Sequence, residues 1–168
     1  IREALLDDET PAAPVVKAIT GAGVAVVGHI GLTKQIIMRT GQTRLQAKDA
    51  SGIVDLFADA EALVEAGASA LVLECIPDSV ARVITGGVPV PTIGIGAGKY
   101  CDGQFLVAQD LLNMHPGFSA RFLKHYANVA EIIVDALTRF RQEVETEQFP
   151  DETHSYRTRS NELSGALK

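Results

Sequence analysis

The feature that most constrains the fold is an alternation of short apolar runs with segments of helical periodicity. The apolar runs lie at residues 24–31, 70–75 and 90–98. A run that is apolar at nearly every position predicts a strand buried on both faces, which is typical of parallel sheets covered by helices. The alternation therefore predicts an α/β fold with a parallel sheet.

The segments around these runs carry helix signals. We predict helices at residues 10–20, 51–66 and about 120–145, and a short one after Pro77. Apolar residues at three- and four-residue spacing predict the side of a helix that faces the core. In the second helix this stripe consists of Ile53, Phe57, Ala60 and Val64.

Composition limits the class of protein. The chain has 168 residues, of which 46% are hydrophobic, so it is long and apolar enough for one compact domain. The net charge of −6, without a long basic run, argues against nucleic acid and anionic membranes as partners. Apolar runs are far shorter than the roughly 20 residues that span a bilayer. Cys75 and Cys101 fit no metal or redox motif, which favours a reducing compartment.

Candidate functional residues follow the predicted strands. His29, Glu74 and the glycines at 94, 96 and 98 lie where the three strands end, and parallel α/β folds carry their chemistry at that edge. A glutamate is almost never fully buried without a partner or a function. Glu74 is therefore either a catalytic carboxylate or an acid that faces solvent or pairs with a helix. For His29 the alternatives are a site residue and a structural histidine.

Several other motifs have simpler interpretations. The glycines of residues 94–98 are spaced GxGxG, not GxGxxG, which predicts a sharp turn or close backbone approach at a barrel rim and not a nucleotide site. For Asp102 and Asp110 we predict a capping or solvated carboxylate in preference to a metal ligand. Cys75 is predicted to be an inert core residue.

Four motifs together resemble one enzyme family. They are "GHIGLTKQ" (28–35), "LVLECIP" (71–77), "VPTIGIGAGKYCDGQFLVAQDLL" (90–112) and "EVETEQFPDETHSY" (143–156). In this order and spacing they resemble the ketopantoate hydroxymethyltransferase family. The resemblance covers roughly residues 12–156, and the combination is more specific than any motif alone.

The resemblance implies the second half of a (β/α)8 TIM-type barrel of the phosphoenolpyruvate/pyruvate kind. A complete barrel takes about 250 residues, and this chain has 168. We expect residues 1–147 to form the C-terminal part of the barrel domain and residues 148–168 to form a polar, loosely ordered tail. The first residue is Ile1 and not Met, so we expect a fragment of a longer product. A processed piece completed by another chain, or a divergent relative without the metal site, are the alternatives.

The family's activity is implied in the same way. Its members transfer a hydroxymethyl group from 5,10-methylenetetrahydrofolate to 3-methyl-2-oxobutanoate, giving 2-dehydropantoate for pantothenate and coenzyme A synthesis. The glutamate of the "LVLEC" strand, which is Glu74 here, is the catalytic proton acceptor. The histidine of the "GH" motif is substrate-binding and corresponds to His29.

Cofactor and partners are expected from the same resemblance. The family uses Mg²⁺, and its ligands are expected upstream of Ile1, so we assign no metal ligand within this chain. The expected partners are small-molecule substrates and further copies in a homo-oligomer, without nucleic acid or membrane. We expect a cytoplasmic protein, or a mitochondrial one if the source is eukaryotic.

One segment departs from the family pattern. Where the family has a glycine-rich "GGYKVQG" loop, residues 41–47 read "GQTRLQA", and we expect this loop to lie near the site. Two rival functions stay open: a lyase of the same superfamily acting on another 2-oxo acid, and a non-catalytic interaction domain built from a barrel half. The joint presence of "GHIGLT" and "LVLEC" argues against the lyase.

Overall fold

A computed structural model describes residues 12–115, 117 and 119–157. The elements, in chain order, are α1 (Ala12–Gly21), β1 (Val27–Gly31), α2 (Lys34–Thr40), α3 (Ala50–Glu65), β2 (Ala70–Glu74), α4 (Asp78–Gly87), β3 (Thr92–Ile95), β4 (Gly103–Gln104), α5 (Ala108–Leu111) and α6 (Val129–Glu145). The chain divides into two compact units. The first runs to Ala108 and also takes in Ser119–Lys124, and the second contains the rest.

The first unit is built on one parallel sheet. Its strand order is β1-β2-β3-β4, and every neighbouring pair is parallel. The predicted α/β fold with a parallel sheet is therefore confirmed. The register aligns Gly31, Glu74 and Ile95, so that the ends of β1, β2 and β3 lie side by side at one edge.

The two faces of this sheet differ in their packing. Ile30, Leu71 and Leu73 lie on one face and are almost completely buried, because α3 and α4 pack their apolar side chains against it. Side chains alternate between the faces of a strand, so Val27 and Val72 lie on the other face. Val27 is 55% exposed, which leaves this second face largely uncovered by the described residues.

Two helices of the first unit, α2 and α3, begin at side-chain caps. The Thr33 hydroxyl accepts a hydrogen bond from the Ile36 N–H (3.3 Å), and the Asp49 carboxylate accepts one from the Gly52 N–H (2.8 Å). Such caps satisfy donors that have no partner within the helix. The seven-residue helix after Thr33, α2, was not predicted, because it is too short to show a periodic apolar pattern.

The apolar stripe predicted for α3 is confirmed in part. The fully buried apolar residues are Leu56, Ala60 and Leu63, and of the predicted set Ala60 is among them while Phe57 and Val64 are partly buried against the core. Ile53 is exposed, at 36% of its surface. Both stripes have helical spacing, and the choice between them depends on where β1 and α4 lie.

Three secondary-structure elements begin later than the sequence predicts. The first and third strands begin at Val27 and Thr92, and not at 24 and 90. The last helix begins at Val129 and not near 120. Just before it, the Tyr126 N–H donates to the Leu111 carbonyl and the Val129 N–H donates to the Leu112 carbonyl. These donors are therefore not available to extend the helix backwards.

The second unit contains α6 and the segment after it. The Phe149 ring lies 5.5 Å from the Phe140 ring in an edge-on arrangement. The Asp151 carboxylate closes a turn by accepting hydrogen bonds from Thr153 and His154. Of the predicted tail, 158–168 lies outside the described residues, and the domain boundary after residue 147 stays a prediction. No helix in the described ranges has the length and apolar character to cross a bilayer.

Candidate active site

Glu74 lies at the C-terminal edge of the sheet, as the sequence predicts. It is the last residue of β2, and its neighbours across the sheet are Gly31 and Ile95. Its side chain is 24% exposed. The carboxylate is therefore held by a buried strand and remains accessible to a small molecule.

His29 lies in direct polar contact with this carboxylate. The His29 Nε2 atom lies 2.8 Å from the Glu74 Oε2 atom. The register pairs His29 with Val72, two residues before Glu74, so both side chains lie on the uncovered face in a diagonal cross-strand arrangement. The structure thus brings together the two residues that the sequence analysis selected. A direct bond between them was not predicted.

Gly31 allows the two strand ends to approach each other. Its φ is +91°, and a Cβ atom at this position would overlap the Glu74 carbonyl oxygen. The same oxygen accepts a hydrogen bond from the Leu32 N–H at 2.9 Å. The backbone of Glu74 is therefore fixed by the chain that leaves β1.

Cys75 turns the chain away from the sheet. Its φ of +52° is in the left-handed region, and its N–H donates to the Ile95 carbonyl at 2.9 Å. Burial raises the pKa of the Cys75 thiol, and the Glu74 charge raises it further, while Lys48 opposes the shift. A thiol with a raised pKa is a poor nucleophile, which agrees with the predicted inert role. The predicted core position is wrong, because Cys75 is only partly buried.

The loop that departs from the family pattern lies against this strand end. The Gln46 N–H donates to the Cys75 carbonyl at 2.9 Å. Ala47 has a φ of +49°, and it stands where the family pattern has a glycine, the residue that adopts this conformation without strain. Beside it is a cavity of about 300 Å³, lined by residues 44–49 and Gly52. The loop therefore lies near the candidate site, as expected.

The glycines after the third strand allow other residues to pack closely against the backbone there. Gly96 and Gly98 have φ values of +65° and +76°. A Cβ atom on Gly98 would overlap the Cβ atom of Asp78, and one on Gly96 would meet the Phe122 ring at 2.8 Å. The predicted sharp turn with close backbone contacts is confirmed.

Asp102 lies at the opposite end of the sheet. Its Oδ2 atom accepts hydrogen bonds from the Thr92 N–H (2.8 Å) and the Thr92 hydroxyl (3.1 Å). These bonds hold the pKa of the Asp102 carboxyl below its ordinary value. The predicted capping role agrees with this position. Its partner Thr92, ten residues away, carries no sequence signal. Asp110 lies in the first turn of α5.

The described residues do not form a magnesium site. No group of three His, Cys, Asp or Glu side chains within them could hold a metal ion. Mg²⁺ prefers octahedral oxygen coordination through one or two carboxylates and water. At the C-terminal edge of the sheet, the Oε2 atom of Glu74 already lies 2.8 Å from the His29 Nε2 atom.

Comparison with known proteins gives consistent matches. The sequence profile described as ketopantoate hydroxymethyltransferase matches residues 5–152. A relative from Moorella thermoacetica, named 3-methyl-2-oxobutanoate hydroxymethyltransferase, is 51% identical over 144 residues, which is 86% of this chain and 54% of the relative. A relative of the same name from Clostridium beijerinckii is 47% identical over 148 residues, which is 88% of this chain and 54% of the relative.

The chain spans about half the length of the curated relatives that it matches. The family profile covers most of this chain, including the strands that carry His29 and Glu74. The chain belongs to the ketopantoate hydroxymethyltransferase family.

Proposed function

We propose that this chain carries the proton-abstracting part of an enzyme that transfers a hydroxymethyl group from 5,10-methylenetetrahydrofolate to 3-methyl-2-oxobutanoate. The product would be 2-dehydropantoate, an intermediate of pantothenate synthesis. One observation carries the proposal: in a member of this family, the Glu74 carboxylate lies at the C-terminal edge of a parallel sheet, with its Oε2 atom 2.8 Å from the His29 Nε2 atom.

The proposed chemistry needs a positioned base. The proton on C3 of 3-methyl-2-oxobutanoate is only weakly acidic, so its removal requires a group within hydrogen-bond reach. Glu74 accepts this proton, and C3 of the resulting enolate then forms a bond to the methylene carbon of the folate. Both bonds from that carbon to the folate nitrogens break, water supplies the hydroxyl oxygen, and the protons from C3 and from water end on the two nitrogens of tetrahydrofolate. Glu74 is attached to a buried strand and is partly accessible, which supports this role.

We further propose that the sheet is half of a (β/α)8 barrel. Its four parallel strands are covered by helices on one face, and the other face, with Val27 and His29, is open in the described structure. In a complete barrel that face is the interior. The chain also spans about half the length of its relatives. The Mg²⁺ ligands would then lie in the part of the relatives that this chain does not match.

Substitution of Glu74 by glutamine tests the proposal. The amide keeps the size of the side chain and cannot accept the proton, so we expect exchange of the C3 proton to slow by about 10²–10⁴-fold, with an unchanged Tm. Exchange with deuterated water is followed by NMR without folate. The assay uses a chimaera that joins this chain to the unmatched part of the Moorella thermoacetica relative.

The matched control is Glu61→Gln, which changes an exposed glutamate on α3. It should leave the exchange rate unchanged. Exchange at the wild-type rate in Glu74→Gln would remove Glu74 from the role of base. Normal exchange without carbon transfer in the wild-type chimaera would instead favour a related lyase.

A further inference from the structure

The contact between His29 and Glu74 has a defined direction. The carboxylate offers only acceptor atoms, so a hydrogen bond across the 2.8 Å between His29 Nε2 and Glu74 Oε2 requires a proton on Nε2. The ring therefore presents Nε2 to the carboxylate.

Glu74 has few other restraints. Within the part of the chain that the structure describes, His29 is the only side-chain partner of its carboxylate. A glutamate side chain has several rotatable bonds, and this one is partly exposed. The His29 ring, by contrast, is short and attached to the middle of β1, which is paired along its whole length with β2. A bond from the stiffer side chain fixes the orientation of the more flexible one.

We infer that His29 is a positioning residue for Glu74: its Nε2–H bond holds the carboxylate in the orientation from which it accepts the substrate proton. This assignment differs from a substrate-binding role, because His29 then acts on the base and not on the substrate. It rests on the proposed function, since it needs Glu74 to be the base. Misplacement of a reacting group by about 1 Å can cost on the order of 10²-fold in rate.

Kinetics of C3 exchange separate the two roles. In the chimaera, His29→Ala should lower kcat for exchange by roughly 10- to 100-fold and leave KM within about a factor of two, because substrate contacts are kept. His29→Gln retains an N–H donor of similar reach, and it should recover part of the lost rate. A rise in KM at unchanged kcat would overturn the inference and support substrate binding.

The chain offers a matched control. His154 also pairs with a carboxylate, through Nδ1 and Asp151 Oδ1 at 2.7 Å, but it lies on an exposed turn of the second unit. His154→Ala should leave kcat and KM unchanged. In the double variant of His29→Ala with Glu74→Gln, exchange should be no slower than in Glu74→Gln alone, since the positioning of a missing base has no effect.

A second measurement does not depend on activity. The ¹⁵N spectrum of the histidine rings in the chimaera should give His29 the pattern of a ring protonated at Nε2, and Glu74→Gln should shift that signal. A ring protonated at Nδ1, or a signal indifferent to Glu74→Gln, would overturn the inference. Normal exchange in His29→Ala together with loss of exchange in Glu74→Gln would also overturn it while leaving the proposed function intact.

Discussion

The two ends of the sheet each hold a carboxylate, and the two carboxylates have opposite surroundings. At the start of β3, Asp102 receives hydrogen bonds from both the backbone N–H and the hydroxyl of Thr92, and Thr92 is completely buried. At the end of β2, the side chain of Glu74 contacts the half-exposed ring of His29. Asp102 thus satisfies hydrogen-bond donors of a buried strand residue, while Glu74 is partly accessible to solvent.

This difference suits Asp102 to a role in stability and Glu74 to a role in chemistry. Bonds from Thr92 lower the pKa of Asp102, and a carboxylate with a lowered pKa is a weaker base. Asp102 is therefore suited to holding β3 and β4 together and not to removing a proton. Glu74 keeps an accessible carboxylate at the edge where parallel α/β folds carry their active sites. Under the proposed function, the location of an acid along its strand thus indicates its role better than its residue type does.

The largest effect should come from Gly31→Ala, which disturbs the Glu74 end. The new Cβ atom would overlap the Glu74 carbonyl oxygen, in a residue with a φ of +91°. We expect a loss of roughly 3 kcal/mol or more in the free energy of unfolding, together with slower C3 exchange. Urea denaturation and the NMR exchange assay measure the two effects.

Gly41→Ala is the matched control for this variant. Gly41 also has a positive φ, of +65°, but nothing lies within 4 Å of its added Cβ atom. Its cost should be limited to the strain of the left-handed conformation, about 1–2 kcal/mol. Equal destabilisation by both substitutions would mean that the strand ends are not pressed together at Gly31.

A smaller effect is expected from Thr92→Val at the other end. The valine keeps the branched shape but removes the buried hydroxyl that bonds to Asp102 at 3.1 Å and to Thr85 at 2.8 Å. The free energy of unfolding should fall by about 1–2 kcal/mol, and C3 exchange should stay within about two-fold of the wild-type rate. Slower exchange at unchanged stability would contradict the division between the two ends.

The smallest effect is a pH dependence of stability. The folded-state pKa of Asp102 lies below its ordinary value of 3.8, so its contribution is fully present above that value and is lost as the pH falls through the folded pKa. Asp102→Asn lacks this contribution. The difference in Tm between wild type and Asp102→Asn should decrease by about 1–2 °C when the pH is lowered from about 5 to about 2.5. A constant difference would show that the charge of Asp102 does not matter.

Much of this sheet could be predicted from the sequence because the apolar runs are local signals. Residues 70–75 are apolar except for Glu74 near their end, so the residues alone indicate both β2 and the exceptional position of that acid. The edge at which His29 and Glu74 meet follows from the rule for parallel strands. Their direct bond does not, because it depends on a two-residue diagonal in the register of β1 and β2.

The missed features depend on partners distant in sequence. The buried side of α3 is decided by the positions of β1 and α4, so the periodic pattern fitted Ile53 as well as Leu56. The start of α6 is decided by backbone bonds to Leu111 and Leu112. In both cases the local pattern allowed two answers, and tertiary contacts selected one.

The bond between the Gln46 N–H and the Cys75 carbonyl has a consequence for how this enzyme family could diversify. It joins main-chain atoms only, so no substitution except proline at position 46 removes its donor or its acceptor. Side chains in residues 41–47 can therefore be exchanged while the atoms that join the loop to the strand ending in Glu74 are kept. A protein engineer could vary the loop side chains and retain this main-chain anchor.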